Sequence, residues 1–449
     1  MNLRFNGRAL VAAIALCLLA LLALASAAFA ASGDLAWHRS FNGAGNGQDS
    51  FNSLAVAPGG GAYVAGMTVT TTTSFDFVAA RYDTAGQRHW QHTYNGPGDG
   101  LDWFGAAASD RQGDLIEAGY VTTAADTLVT GIVKYDAAGH LRWVRFHNVV
   151  TGVPDNPLAI TTDARGNVYV ASTEGSSSYD IVVLKYSPSG IHRWTTRYAG
   201  PAADIPTDIA LDRAGNVYVA GYSYQGTTRG YDALTLKVDP RGHRRWARLF
   251  DGPSISDVGD ALAVTKTGTV YVGGSTIGAT SSGDALLLKY VTNGALRWHR
   301  TYTGAGANTD GYADVALLPN GDVAATGYSF VANLADALLT RYQPSGNRRW
   351  VRVYDGPDSS NDQGIRVARG QAGAIYVAGD TTANATGGDA LLLKYSGGGA
   401  LRWARSYSGT GTGNDYAAAL VTVPVKSVYV AGQQQSSTVS DGFVLRYKP

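Results

Sequence analysis

Eight tryptophans recur at intervals of 51 to 53 residues: Trp37, Trp90, Trp143, Trp194, Trp246, Trp298, Trp350 and Trp403. A ninth, Trp103, is off this register. Four residues ahead of each of the eight stands a glycine, from Gly33 and Gly86 through to Gly399. A chain that repeats itself must build one unit again and again and bury each copy against the next. The glycine supplies the positive φ that a tight hairpin needs.

Each unit carries four strand signals. The first is a short apolar stretch such as Asp260–Val264, and the second is Tyr-Val-Ala-Gly, as at Tyr63, Tyr218, Tyr376 and Tyr429. The third reads Asp-Ala-Leu-Leu-Leu-Lys-Tyr, at Asp284–Tyr290 and Asp389–Tyr395, and the fourth starts at the tryptophan, as in Trp298–Tyr302. The second and third runs are too short for helices, and turn residues bound them. They are apolar on both faces, which a sheet stacked between two like sheets requires. Four-stranded units of this length predict an all-β fold, an eight-bladed β-propeller of antiparallel strands.

The ends of the chain support a closed ring. Residues 33–37 read like the start of an outer strand, and 446–449 read like the end of a third strand. Residues 35–41 are therefore expected to complete a last blade whose other strands lie near 416–422, 427–432 and 441–447. Arginines flanking the tryptophans would guard the exposed edge strands.

Residues 1–30 read as a secretory signal peptide. Arg4 and Arg8 precede an apolar run over 9–24, and Ala28-Phe29-Ala30 offers a cleavage site. The remainder, 31–449, is expected to be one propeller domain without a membrane span, exported to the periplasm, the exterior or the cell surface. It holds no cysteine, because Cys17 lies in the leader. Without Arg4 and Arg8 the chain has 34 basic and 35 acidic residues, so nothing draws it to nucleic acid.

The landmarks Asp208–Gly221, Asp232–Val238 and Pro240–Gly242 resemble the bacterial β-propeller repeat called SBBP, over almost all of 33–449. That family is named for seven blades, and the count of eight departs from it. The resemblance implies an exported or surface protein and no defined activity. The turn at Asp136–Trp143 is also similar to the tryptophan-docking motif of eight-bladed quinoproteins, which implies tryptophans packed between blades. Cofactor-bearing quinoproteins often carry a vicinal cysteine pair, which this chain lacks.

Charges repeat with the blades. An Asp stands 14 residues before the Tyr-Val-Ala-Gly position in every unit (Asp49, Asp102, Asp155, Asp204, Asp257, Asp310, Asp362, Asp415). A second Asp opens the third strand in seven units, Val129 being the exception, and a Lys or Arg ends that strand in all eight. Eightfold repetition points to structure, so these Asp residues are expected to cap turns or to pair with the basic residues. The glycine-rich loops 304–310 and 409–415 invite calcium but lack its alternating acidic ligands, so no cofactor is expected. The eight histidines show no zinc spacing.

Broken symmetry is the better guide to a site. Trp103 and Glu117 are peculiar to the second unit. Asp208, Asp314 and Arg366 stand on innermost strands where other units have Ala or Ser. The loops between second and third strands vary most, with Tyr222 and Tyr224 near one of them. These seven residues are the candidate binding set. The leading expectation is a monomeric, non-catalytic scaffold that binds a glycan or a partner protein on the variable-loop face. The alternatives are an enzyme at the channel mouth, either a polysaccharide lyase or a quinoprotein-like oxidoreductase, and a purely structural surface protein.

Overall fold

The computed structural model describes residues 32–70, 75–147, 159–175, 178–252, 255–278, 283–305, 308–331, 334–356, 361–383, 387–409, 413–436 and 439–449. Residues 1–31, which include the expected leader, Asp155 and parts of the variable and glycine-rich loops fall outside them.

The chain forms eight four-stranded antiparallel sheets. Blade 1 comprises Ser50–Val56, Ala62–Thr68, Asp76–Tyr82 and Arg88–Tyr94. Blades 2 to 7 follow over residues 103–147, 159–198, 204–250, 256–302, 311–354 and 362–407. Blade 8 joins Tyr416–Val423, Ser427–Gln435 and Ser440–Tyr447 to the N-terminal strand Leu35–Phe41. That strand pairs antiparallel with Ser440–Tyr447, placing Phe41 opposite Gly442, so the ring closes as expected. The helical content of the described residues is two short 3₁₀ turns.

The core is divided among the interfaces. Tyr218, Ala220 and Trp246 of blade 4 pack with Leu262, Val272 and Leu288 of blade 5. Phe51 and Val64 of blade 1 pack in the same way with Ala431 and Val444 of blade 8. A second strand contributes alternate residues to the interfaces on its two sides, which is why its sequence is apolar throughout. At roughly 25 cal/mol per Å², these stacked faces supply the main stabilisation.

Each outer-strand tryptophan docks on the next blade. Trp37 Nε1 donates to the Thr84 carbonyl at 3.1 Å, and its ring lies 2.8 Å from where a β-carbon on Gly86 would stand. Gly86 has φ 80°. The flanking arginines do more than guard an edge. Arg39 covers the Trp37 ring, and its Nε donates to the Gly86 carbonyl at 2.8 Å. Arg145, Arg248, Arg300, Arg352 and Arg405 repeat this clasp on Gly190, Gly294, Gly346, Gly399 and Gly33.

The hairpin joining first and second strands places a left-handed glycine in seven blades. In blade 8 the sequence has Lys426 at that position, and the left-handed residue is instead Val425, at φ 64°.

Candidate functional site

Strand order places the first strand of each blade around the central channel. The short turns between first and second strands share one face of the disc, and the variable loops share the other.

Asp208 and Asp314 lie on the channel strands of blades 4 and 6, within electrostatic reach of each other and of Arg366 on blade 7. Asp208 Oδ2 accepts the Leu262 N–H of the next blade at 2.8 Å, and its Oδ1 accepts the Ile209 N–H at 2.7 Å. Asp314 makes the same pair of bonds, to Val367 and Val315, both at 2.8 Å. In blade 1 the equivalent Ser53 accepts the Ala107 N–H. These positions therefore stitch neighbouring channel strands together, and both carboxylates are engaged by backbone. Arg366 remains exposed in the channel.

A fourth charged residue joins this arc. The register of blade 5 shifts between Gly259 and Ala261, and the residue left out of the ladder is Asp260. Burial pushes Asp260 up to about 6. Burial likewise pushes Asp208 up to about 7, with the Asp314 charge adding to it and the Leu262 N–H opposing it.

The other candidates are scattered. Trp103 is 46% exposed at the start of the blade 2 channel strand, edge-on to Phe75. Tyr222 and Tyr224 are half-buried and pack on Tyr231, with centroids 5.2 and 5.1 Å away. Glu117 departs from the binding set. It is 1% exposed inside the interface of blades 1 and 2, with Oε1 buried and lacking a hydrogen-bond partner. Burial alone pushes it up to about 8. It stands on the strand paired with that of Trp103, opposite Ala107, but its side chain lies within the core.

The repeated Asp residues cap turns and do not pair with the strand-ending cations. Asp310 Oδ2 accepts the Gly304 N–H at 2.5 Å, and its Oδ1 accepts the Phe330 N–H at 2.9 Å. Asp415 does the same with Gly409 and Gln435. Both oxygens in each calcium-inviting loop are thus committed to backbone. The strand-ending cations reach across to the next blade's turn, as where Lys237 Nζ donates to the Thr292 carbonyl at 3.0 Å. Two of them also pair with turn acids of their own blade, the buried Lys134 with Asp110 at 2.7 Å and Asp114 at 3.0 Å and Arg341 with Asp322 at 2.7 Å.

The sequence reading overlooked the short-turn face. A cleft of about 730 Å³ opens there at blades 3 and 4, a size typical of ligand sites. Arg111, Arg165, Arg213 and Lys266 line it, one from each of blades 2 to 5. All four are exposed, and no acid lies within ion-pair distance of any of them among the described residues. The cleft's own acids form no ion pair with them. Asp163 accepts the Arg165 and Asn167 amides at 2.8 and 3.0 Å, the Asn167 side chain at 2.7 Å and the Tyr169 hydroxyl at 3.1 Å. Burial pushes Asp163 up, but these bonds outweigh it and hold it below its ordinary value. Asp212 is bonded in the same pattern. The signal was present in the sequence. Arg111, Arg213 and Lys266 hold one turn position and Arg165 the next, where the other units have Pro58, Pro319, Gln371 and Pro424.

The comparisons agree with this architecture. The chain is 23% identical over 310 residues to the uncharacterized WD repeat-containing protein L264 of Acanthamoeba polyphaga mimivirus, covering 62% of this chain and 18% of that protein. It is 26% identical over 185 residues to the regulatory protein FlaEY of Caulobacter vibrioides, covering 35% of this chain and 19% of that one. It thus spans less than a fifth of the length of either relative. Among solved structures, Sqt1 from Chaetomium thermophilum superposes with a TM-score of 0.59 at 12% identity, over 93% of this chain and 99% of the other. That likeness is one of fold. Residues 193–225, which run from the outer strand of blade 3 through the first two strands of blade 4, match SBBP, the beta-propeller repeat. The chain is an eight-bladed β-propeller with a match to the SBBP beta-propeller repeat over residues 193–225.

Proposed function

We propose that this protein is an exported, non-catalytic binding scaffold whose cleft on the short-turn face takes an acidic glycan. One observation carries the reading: four cations without acidic partners, from four successive blades, converge on one cleft. Guanidinium groups suit carboxylate and sulfate oxygens, which they bind in bidentate fashion. The cleft admits a few sugar units, and its two committed carboxylates disfavour a densely charged strand such as nucleic acid. The expected ligand face moves accordingly, from the variable loops to the opposite side. Binding is favoured over catalysis because backbone amides hold Asp208 and Asp314 on both oxygens, leaving that pair poorly placed to exchange protons with a substrate.

A second surface fits a partner protein. Trp103, Ile255, Val331, Leu334 and Tyr416 are exposed toward the loop side, each at 37% or more.

Calorimetric titration of the chain 31–449 with oligogalacturonate, and with its methyl-esterified neutral form, tests the proposal. The acidic form is expected to bind, weakening about tenfold or more between low salt and 0.5 M as screening shortens the reach of the cations. Arg213→Ser combined with Lys266→Ser should abolish binding at unchanged melting temperature. Equal binding of both forms, no binding, or binding unaffected by the double substitution overturns the reading. Preference for an acidic peptide would assign the cleft to a protein.

A further inference from the structure

The second Asp of one blade and the first Asp of the next meet at the blade interfaces. Asp76 and Asp102, Asp180 and Asp204, Asp232 and Asp257, Asp336 and Asp362, Asp389 and Asp415, and Asp441 and Asp49 are such pairs, each close enough for their charges to interact. Two interfaces gain a third carboxylate, because only two units follow their outer strand with Asp: Asp251 beside Asp232 and Asp257, and Asp355 beside Asp336 and Asp362.

Their charge is handled differently. Between blades 4 and 5, Arg229 is inserted. It donates to Asp232 and lies 3.0 Å from Asp251 Oδ2. At the neighbouring interface of blades 3 and 4, Arg197 serves Asp180 in the same manner, its Nε at 2.7 Å. Between blades 6 and 7, Asp336 and Asp362 have no basic partner among the described residues.

That third interface is built for a cation. One carboxylate oxygen from each of Asp336, Asp355 and Asp362 lies within 4.8 Å of the others. Asp336 and Asp362 are 7% and 0% exposed. Asp362 Oδ2 accepts the Gly356 N–H at 2.6 Å. Its Oδ1 is buried, and no donor reaches it in hydrogen-bonding geometry, although the Thr381 hydroxyl lies beside the carboxyl. A buried carboxylate oxygen without a donor is costly, and a third acid beside it compounds the cost.

We propose that Asp336, Asp355 and Asp362 bind a divalent cation between blades 6 and 7, in the role that Arg229 plays between blades 4 and 5. An oxygen-only donor set of three carboxylates suits calcium, a hard ion that fills its remaining positions with carbonyls and water. The ion tethers two blades and is separate from the glycan cleft, which lies on the opposite face.

Calorimetric titration of the EDTA-treated chain 31–449 with CaCl₂ tests this. One equivalent is expected, with the melting temperature rising as calcium is added. Asp336→Asn and the exposed Asp355→Asn should each weaken binding at least tenfold. The second variant alters a surface residue, so its fold is not in question. Arg229→Gln should add a second equivalent, at Asp232, Asp251 and Asp257. The proposal is overturned if calcium does not bind or if both Asn variants bind it as tightly as the parent. It is also overturned if Arg229→Gln adds nothing, since the comparison between interfaces then fails.

Discussion

Trp403 of blade 7 donates its indole N–H to the Ser32 hydroxyl at 3.3 Å, a contact that joins positions 371 residues apart. Arg405 donates in turn to the Gly33 carbonyl at 2.9 Å. Every other tryptophan of the series docks on a turn about 46 residues further along, as Trp246 does on Thr292. At the seam the partner turn is supplied by the other end of the chain. The ring is therefore closed twice, by the strand ladder inside blade 8 and by this docking between blades 7 and 8.

The docking rests on a glycine for two separate reasons, which substitution can distinguish. Gly86 and Gly59 have nearly the same left-handed φ, 80° and 81°. A β-carbon on Gly86 would lie 2.8 Å from the Trp37 ring, whereas one on Gly59 would meet nothing within 4 Å. Gly59→Ala should cost only the left-handed strain, about 1–2 kcal/mol. Gly86→Ala should cost a further 1–3 kcal/mol or so for overpacking. Urea unfolding of the two variants measures the difference, and equal losses would mean that the indole yields freely.

The period and the chain ends made the blades, their number and the closure legible, because each strand's burial depends on residues repeated eight times. The site was far less legible. Asp208, Asp314 and Arg366 were recognisable as departures from the repeat, and they do face one channel. What the first two do, accepting amides from the next blade, depends on a between-blade register that no local pattern encodes. Glu117 stood out for the same reason, yet strand parity turns it into an interface. The cationic turn positions ran through four consecutive units, but a turn residue carries no burial signal, so they read as ordinary surface charge. Arg229 owes its meaning to Asp251, a residue that becomes its neighbour only when blade 4's third strand lies against the crossover to blade 5.

Val425 is a place where the repeat has lost its glycine without recovering the geometry. A β-branched residue at φ 64° is sterically disfavoured, and here it follows Pro424, the arrangement of a type II turn that calls for Gly or Asn. The side chain is 67% exposed and makes no core contact that would offset the strain. Val425→Gly should therefore stabilise the protein by about 1 kcal/mol, the strain relief exceeding the added freedom of the unfolded chain. Val425→Asn should give a similar gain. Thermal melting of both checks this, and a loss of stability in each would mean that the valine packs against something in solution.

Glu117 makes stability fall as pH rises, in the same direction as the raised Asp208 and Asp260 but reaching to higher pH. Buried in the interface of blades 1 and 2, it keeps its proton up to about 8, while in the unfolded chain it titrates near 4.5. Between those values the unfolded state holds fewer protons than the folded one, so stability falls as pH rises. The loss begins above pH 4.5, accumulates through neutrality and saturates above pH 8, at an order of a few kcal/mol. Glu117→Val restores the residue that Val64, Val170 and Val219 place at the same position in other blades. It should raise the melting temperature at both ends of the range, and by several degrees more at pH 8 than at pH 4.5. Glu117→Gln should remove the same share of the pH dependence but gain less, since a buried amide still lacks partners. Melting curves from pH 4.5 to 9 test this. A parent and a Val variant with parallel profiles would show that water or a structural shift hydrates Glu117, and that its carboxyl is ionised in the folded state at neutral pH.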